Sequence, residues 1–216
     1  MIFNLSHHRH ISNRYVAQLR DINLQQDRMR FRQNLERLGQ VLGYELSKTL
    51  HYKTVAVETP LGIASCEVPS QPLVLATILR AGLPLHQGML SVFDDAENAF
   101  ISAYRKNHKD GSFEIKLEYI SCPSLEGKVV ILSDPMLATG ASMAIATNAL
   151  LEYGTPSKLH FVTAIASVPG LEYIERTFPE ADIWMGALDE ELTAKSYIVP
   201  GLGDAGDLSF GEKVQE

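Results

Sequence analysis

Four apolar runs of strand length, separated by segments of helical character, constrain the fold of this chain more than any other feature. The runs cover residues 73–79, 128–133, 158–166 and 181–187. Continuous apolar stretches of this kind are typical of strands that are buried on both faces of a parallel sheet. Pro84 suits the first turn of a helix after the first run, and Gly154 and Pro156 end a helix after the second. The alternation predicts an α/β fold built on a doubly wound, mostly parallel sheet.

The segments around this core predict a helical N-terminal region and two hairpins within one domain of residues 1–216. Residues 1–52 are interpreted as mainly helical, because an apolar stripe recurs at helical spacing: Phe31, Leu35, Leu38, Leu42 and Leu46. Alternation around a turn at Pro60 and Gly62 predicts a hairpin over residues 53–68. A second hairpin, with a polar turn at residues 106–111, predicts a β-arm over residues 98–120.

Composition argues against several classes of protein. The formal net charge of −7 does not favour binding to the phosphate backbone of nucleic acids. No apolar stretch approaches the length needed to cross a bilayer, and the N-terminus lacks the apolar run of a signal peptide. Cys66 and Cys122 stand far apart, so we interpret them as reduced and buried in a cytoplasmic protein. His7, His8 and His10 have no second ligand group at a suitable spacing, so we expect a solvated, partly ordered N-terminal arm.

Residues 200–207, Pro-Gly-Leu-Gly-Asp-Ala-Gly-Asp, have the glycine spacing of a dinucleotide-binding fingerprint. Such a fingerprint opens a helix and belongs to a βαβ unit. Residues 207–216 are too few for a helix and a second strand, so the segment is not a Rossmann loop. It needs another explanation.

The strongest chemical signal lies in residues 129–142, where an apolar strand ends in Asp134 and a short loop opens the next helix. The free amides and the positive dipole end of a helix start attract an anion. Gly140 lets the backbone approach closely, and Thr139 and Ser142 add hydroxyl donors. The Walker pattern is absent, which excludes an ATP-cleaving P-loop. The loop predicts a sugar-phosphate site with ribose hydroxyls on Asp134; the alternative is a tight turn without a ligand.

Four motifs, in order along nearly the whole chain, resemble those of the uracil phosphoribosyltransferases within the type I phosphoribosyltransferase family. Residues 134–142, Asp-Pro-Met-Leu-Ala-Thr-Gly-Ala-Ser, resemble the family's loop for 5-phosphoribosyl 1-pyrophosphate (PRPP). Residues 78–82, Ile-Leu-Arg-Ala-Gly, resemble the segment that meets pyrophosphate, and Tyr104-Arg105 stands at the base of the β-arm. Residues 197–207 resemble the uracil loop, which implies that residues 190–216 form a C-terminal uracil-binding segment. The resemblance implies a type I phosphoribosyltransferase-like fold.

The same resemblance implies roles for individual residues of this chain. It implies catalytic roles for Arg80, Arg105, Asp134 and Asp204. It implies PRPP contacts for Arg80, Arg105, Asp134, Pro135, Met136, Leu137, Ala138, Thr139, Gly140, Ala141, Ser142 and Asp204. It implies uracil contacts for Ile198, Gly203, Asp204 and Ala205, made largely by main-chain N–H and C=O groups. It implies no set of protein ligands for a metal, because Mg²⁺ would sit mainly on the substrate pyrophosphate.

The implied reaction transfers the phosphoribosyl group of PRPP to uracil, giving UMP and pyrophosphate in pyrimidine salvage. Negative charge gathers on the leaving pyrophosphate, so catalysis needs a clamp, for which Arg80, Arg105 and Mg²⁺ are the candidates. We expect the polar segment between Arg105 and Phe113 to close over pyrophosphate. The resemblance also implies a homodimer or higher homo-oligomer in which the arm or the N-terminal helix exchanges contacts. The apolar stripe on that helix is equally consistent with packing inside one chain.

Some features depart from the family pattern, and two other functions stay open. Ala141 stands where many relatives have a second glycine, and we expect it to be tolerated. Activation by GTP does not carry over, because the N-terminus and the arm sequence differ most. One alternative is an RNA-binding regulator of a pyrimidine operon on the same fold, which the net charge disfavours. The other is a type I transferase for a purine or orotate; orotate would call for a cation where residues 200–207 offer carboxylates.

Overall fold

The computed structural model describes residues 1–107 and 113–213; the side chains of residues 103–107 and 113–117 lie outside that description. The helices among these residues are α1 (Ser12–Arg20), α2 (Arg28–Ser47), α3 (Leu83–Leu90), α4 (Ala141–Leu151), α5 (Val168–Thr177) and α6 (Ala205–Phe210). The strands are β1 (Ile2–Asn4), β2 (Tyr52–Thr59), β3 (Gly62–Pro69), β4 (Leu73–Leu79), β5 (Glu97–Asn107), β6 (Phe113–Ser121), β7 (Val129–Ser133), β8 (Met136–Leu137), β9 (Lys158–Ser167), β10 (Asp182–Asp189), β11 (Glu191–Leu192) and β12 (Ile198–Val199).

One central sheet of eight strands organises the chain. Its order is β1-β10-β9-β7-β4-β5-β6, and β8 pairs with β9 beside this path. The neighbours in this sheet run parallel except β5 and β6, which are antiparallel. The four apolar runs expected to be core strands are β4, β7, β9 and β10, and they occupy the middle of the sheet. The α/β fold with a mostly parallel sheet is confirmed.

Helices cover both faces of this sheet, as a doubly wound fold requires. One core cluster joins α1, α2 and α3 to one face, through residues such as Leu75 on β4. The other joins α4 and α5 to the opposite face, through residues such as Val74 on the same strand. Successive side chains of a strand point to opposite faces, so a strand covered on both sides must be apolar throughout. The stripe on α2 packs inside the chain, since all its members are buried: Phe31, Leu35, Leu38, Leu42 and Leu46.

The N-terminal residues do not form the solvated arm that we expected. β1 pairs in parallel with β10 at the edge of the sheet, and Leu5 is buried. The Phe3 ring lies 5.1 Å from that of Trp184, and the N-terminal ammonium group donates to Asp182 at 2.7 Å. The expectation was wrong because the partner strand lies about 180 residues away in sequence, so local composition does not reveal the pairing. Within the described residues, no group of three or more potential metal ligands comes together.

Both expected hairpins are present. β2 and β3 form a separate antiparallel pair, and β5 and β6 form the β-arm. We expected the segment between Arg105 and Phe113 to close over pyrophosphate; its residues 108–112 lie outside the described residues. Cys66 and Cys122 are unpaired as expected, but both are partly exposed and not buried. Among the residues that the structure describes, no helix is long and apolar enough to span a bilayer.

Candidate active site

A cavity of about 790 Å³ opens beside the carboxyl ends of β4 and β7 and the start of α4. In open α/β sheets, ligands bind at this end of the strands because the connecting loops meet there. Three of the four sequence motifs converge on the cavity, although they are far apart in the chain. The expected site residues that line it are Arg80, Asp134, Met136, Leu137, Ala138, Thr139, Gly140, Ser142, Ile198, Gly203, Asp204 and Ala205.

The remaining expected residues are Pro135, Ala141 and Arg105. Pro135 is buried below the loop, and its carbonyl oxygen accepts from the Ile165 N–H at 3.0 Å. Ala141 is the first residue of α4 and does not line the cavity. Arg105 pairs with Ile115 within the β-arm, and its side chain falls outside the described residues.

The loop before α4 leaves the start of that helix open. Gly140 is the N-cap residue with φ of 79°, and no side chain caps the helix. A left-handed backbone favours glycine, and a Cβ here would also lie 2.7 Å from Cδ1 of Tyr173. The first intrahelical donor is the Ala144 N–H, which reaches the Gly140 carbonyl at 2.9 Å. The Ala141 N–H donates to Oγ1 of Thr139 at 3.4 Å, so the amides of Ser142 and Met143 are the ones available to an anion in the cavity.

The floor of this loop is held by the neighbouring strand and helix. The Ser167 hydroxyl donates to the carbonyl of Ala138 at 2.6 Å and also caps α5 by accepting from the Gly170 N–H at 3.0 Å. A Cβ at Gly170 would collide with the Ala138 carbonyl. Glycine at this position therefore allows α5 to approach the loop of residues 134–142 closely.

Asp134 is an acid with a strongly perturbed ionisation. Loss of hydration raises the pKa of its carboxyl from 3.8 to about 7, against the lowering effect of a hydrogen bond from the Met136 N–H. The negative charge of Asp204 across the cavity raises this pKa further. Two carboxyl groups from β7 and the C-terminal segment therefore face one space, and perturbed acids of this kind are typical of functional sites.

Arg80 connects the pyrophosphate motif to the C-terminal segment. It follows β4 directly, and its Nη2 donates to Oδ1 of Asp207 at 3.3 Å and to the Gly211 carbonyl at 3.0 Å. The peptide bond between Leu79 and Arg80 is cis. Sequence analysis missed the partnership with Asp207, although Asp207 ends the second of two Gly-Asp pairs, at residues 203–204 and 206–207.

The C-terminal segment contains a short helix that we did not expect. α6 begins directly after Asp204, whose Oδ1 accepts from the N–H groups of Gly206 at 2.8 Å and Asp207 at 3.0 Å. This side-chain cap satisfies two amides that a six-residue helix cannot pair internally, which stabilises a helix of only six residues. No strand follows α6 within residues 211–213.

Other residues reach the cavity that the motifs did not indicate. They include Ser102, Glu118, Lys195, Ser196 and Lys213. They come from the β-arm, the turn before β12 and the C-terminus, so tertiary structure alone brings them together. Among the described lining residues, the carboxylates of Glu118, Asp134, Asp204 and Asp207 outnumber the cations.

Comparison with known proteins identifies the family. Residues 6–212 match the family described as uracil phosphoribosyltransferase. This chain belongs to the uracil phosphoribosyltransferase family. A uracil phosphoribosyltransferase of Porphyromonas gingivalis is 50% identical over 214 residues, which is 99% of each chain. One of Thermococcus gammatolerans is 40% identical over 201 residues, covering 91% of this chain and 87% of its own.

A solved structure agrees with that membership. The AQ2163 protein from Aquifex aeolicus is 35% identical and superimposes with a TM-score of 0.88 over 100% of both chains. Membership of the uracil phosphoribosyltransferase family confirms the resemblance found in the four motifs.

Proposed function

We propose that this chain catalyses the transfer of the phosphoribosyl group from PRPP to uracil. In the reaction, a bond forms between N1 of uracil and C1′ of the ribose, the bond from C1′ to pyrophosphate breaks, and the N1 proton is released. The products are UMP and pyrophosphate, which is a step of pyrimidine salvage. The observation that carries the proposal is that one cavity joins the phosphate-binding loop, Arg80 and the glycine-rich C-terminal segment. Residues 1–216 act as one domain, because both core clusters share the same sheet.

The loop of residues 134–142 binds the phosphoribosyl end of PRPP. The 5-phosphate lies against the amides at the start of α4 and the hydroxyl groups of Thr139 and Ser142. Asp134 accepts the ribose hydroxyl groups and stabilises positive charge that develops on the sugar. Its raised pKa supports this role, since a poorly hydrated carboxylate gains most from new hydrogen-bond donors.

The leaving pyrophosphate is held by arginine. A guanidinium group matches phosphate oxygens with two parallel hydrogen bonds, and Arg80 lies at the cavity with a side chain 40% exposed. Its present partners are a partly exposed carboxylate and a main-chain carbonyl, both of which pyrophosphate can replace. Arg105 from the β-arm and Asp204 complete the catalytic set that we propose.

Uracil binds to the backbone of the C-terminal segment. Its N3–H and two carbonyl oxygens suit main-chain groups around Ile198, Gly203 and Ala205, all of which line the cavity. Gly203 has φ of 96°, a conformation that disfavours other residues. A site that donates to O4 of uracil rejects cytosine, whose amino group would face a donor.

Mg²⁺ fits this site as a cofactor that arrives with PRPP. The lining carboxylates outnumber the lining cations, so a polyanionic substrate needs an added positive charge. Mg²⁺ prefers oxygen ligands and is commonly shared between substrate phosphates and one or two carboxylates. Asp134 and Asp204 are the carboxylates that would hold it, directly or through water. When bound, it would neutralise charge on the departing pyrophosphate.

The active form is a homodimer or higher homo-oligomer, and the β2–β3 hairpin supplies part of its interface. Directly opposed residues of an antiparallel pair share a face, so Val55, Val57, Ala64, Cys66 and Val68 form one mainly apolar face, with Lys53 and Thr59 at its two ends. Every residue of the two strands is at least partly exposed, with Val57 at 41%. A two-stranded hairpin is marginal in water unless something covers such a face. Two strands of eight residues give the hairpin a face of about 250 Å². If each of two subunits packs this face against the other subunit, two hairpin faces and the two surfaces that they cover are buried, which is about 1,000 Å² in total.

Sedimentation analysis of two matched variants tests this assembly. Val57→Asp places a charge on the apolar face and should shift the protein to monomer. Ile63→Asp places the same charge on the opposite face of the same hairpin, next to the Glu58 pairing, and should leave the oligomer intact. An unchanged oligomer in both variants would show that this face is not an interface.

The experiment that tests the activity follows pyrophosphate release with PRPP, Mg²⁺ and a panel of bases. Uracil should be the preferred acceptor, and cytosine, orotate and purines should react far more slowly. Turnover of a purine or orotate in preference to uracil would replace the proposed substrate. We also propose a cytoplasmic location, because the two unpaired cysteines suit a reducing compartment.

A further inference from the structure

An ion pair outside the cavity holds the glycine-rich segment by its backbone. The Arg20 guanidinium, at the end of α1, donates to both carboxylate oxygens of Asp189, at the end of β10, at 2.7 Å each. Nη1 of Arg20 also donates to the Gly201 carbonyl at 3.0 Å. The Gly201 N–H donates to Oδ2 of Asp189 at 2.9 Å. One bidentate pair therefore occupies both hydrogen-bonding groups of a single glycine.

A third side chain extends this support to the next residue. Gln25, in the connection between α1 and α2, has its amide nitrogen 3.0 Å from the Leu19 carbonyl and 2.8 Å from the Leu202 carbonyl when the amide is oriented to satisfy both acceptors. Gly201 itself has φ of 57°, and a Cβ there would collide with the Ile198 carbonyl. The backbone of residues 201 and 202 is thus constrained both by hydrogen bonds and by lack of space.

The pair is shielded from water, which makes its geometry well defined. The side chain of Asp189 is 5% exposed and that of Arg20 is 23% exposed. Charge-assisted hydrogen bonds in such surroundings are strong and directional, and they fix the groups that they join. Removing one partner would leave the other charge poorly solvated, so the segment would have to move to compensate.

The side chains of Arg20, Gln25 and Asp189 do not line the cavity, but the main-chain groups that they bind are next to residues that line it. Gly201 and Leu202 directly precede Gly203 and Asp204. Main-chain groups recognise a planar base only if the backbone that carries them is held in place beforehand. We propose that Arg20 and Asp189 are positioning residues that fix the base-reading backbone and so set the affinity for uracil. The proposal rests on the uracil-binding role given above to residues 198–205.

Steady-state kinetics of Asp189→Asn test the inference. The amide places a donor against the donors of Arg20 and Gly201, so the backbone loses its anchor while the side chain keeps its size. With uracil varied at saturating PRPP, we expect the KM for uracil to rise about tenfold. With PRPP varied at saturating uracil, we expect its KM to change less than about twofold, because the phosphate-binding loop is untouched.

Asp182→Asn is the matched control. Asp182 lies at the opposite end of the same strand, is similarly shielded and pairs with the N-terminal ammonium group and Lys158. It should lower thermal stability without changing either KM. If Asp189→Asn does not fold, Arg20→Lys keeps the charge with a single donor group and should raise the uracil KM less steeply.

The outcomes separate this inference from the proposed activity. A uracil KM that stays unchanged in the folded variants overturns the positioning role. Equal increases in both KM values, matched by Asp182→Asn, also overturn it, because they indicate general destabilisation. If the unaltered protein forms no UMP at all, the proposed activity fails and this inference fails with it. If the unaltered protein is active and the variants keep its KM for uracil, the inference fails but the proposed activity stands.

Discussion

Arg80 and Asp207 form an ion pair with Nη2 and Oδ1 3.3 Å apart, so the residue proposed to clamp pyrophosphate is joined to the helix that follows the proposed uracil loop. The side chains are 40% and 34% exposed, respectively. An exposed pair of this kind contributes at most about 1 kcal/mol. It is therefore weak enough for a phosphate to displace and ordered enough to hold the guanidinium at the cavity beforehand.

This relationship predicts unequal effects for the two residues. Arg80→Ala removes the clamp and should lower kcat/KM for PRPP by at least about a hundredfold, because the developing negative charge loses its guanidinium. Asp207→Asn removes only the resting partner and should change kcat/KM by less than about fivefold. Initial rates of pyrophosphate release measure both. Similar losses of kcat/KM in the two variants would contradict the proposed role of Arg80 as a pyrophosphate clamp, because they would show that the ion pair itself is required.

The raised pKa of Asp134 predicts how activity depends on pH. Its pKa of about 7 means that the carboxylate, which we propose accepts ribose hydroxyl groups, forms only as pH rises through neutrality. We expect kcat/KM for PRPP to increase from pH 6 to pH 8, and Asp134→Asn to lower it and remove this rise. If kcat/KM of Asp134→Asn still rises between pH 6 and pH 8, the ionisation belongs to another group.

The same shift has a consequence for stability, with the opposite direction. The folded pKa lies above the ordinary value of 3.8, so the folded protein holds this proton more tightly than the unfolded chain. The contribution of Asp134 to the free energy of unfolding is therefore fully present below about pH 4 and is lost as pH rises through about 7. Asp134→Asn should flatten this part of the stability curve, as measured by urea unfolding at several pH values.

Asp204 should separate a structural role from a chemical one. Asp204→Asn keeps an oxygen that can accept from the Gly206 and Asp207 amides, and asparagine caps helices as well as aspartate does. We expect an almost unchanged melting temperature and a loss of at least about tenfold in kcat, because the negative charge is gone. Asp204→Ala also removes the cap and should lower the melting temperature by about 2–4 °C. Near-native turnover by Asp204→Asn would remove Asp204 from the mechanism.

Gly140 and Gly127 form a pair that distinguishes backbone strain from crowding. Both have left-handed φ values, 79° and 68°, but a Cβ at Gly140 meets Tyr173 and Ile174, whereas Gly127 has open space. Gly127→Ala should cost about 1 kcal/mol of unfolding free energy. Gly140→Ala should cost about 2–4 kcal/mol and should also raise the KM for PRPP, because the loop must shift. Equal costs in denaturant unfolding would show that the contact with α5 is unimportant.

Much of the site could be predicted from the sequence because its parts are local. Asp134, Thr139, Gly140 and Ser142 stand within nine residues, and a strand followed by a glycine-containing helix start has one plausible geometry. The C-terminal segment was predicted to be a ligand loop, but its helix was missed, because the cap by Asp204 depends on side-chain geometry and not on segment length.

The sequence by itself determined the alternation of the core strands and helices, the parallel sheet and the position of the proposed phosphate-binding loop. Each is encoded in periodicity or spacing over a few residues, where hydrophobic burial and backbone conformation act locally. Tertiary structure decided the features that join distant parts: β1 against β10, the charge of Asp204 acting on the pKa of Asp134, and Arg20 bound to Asp189 across 169 residues. These depend on distances of a few ångströms between groups whose separation in the chain carries no periodic signal.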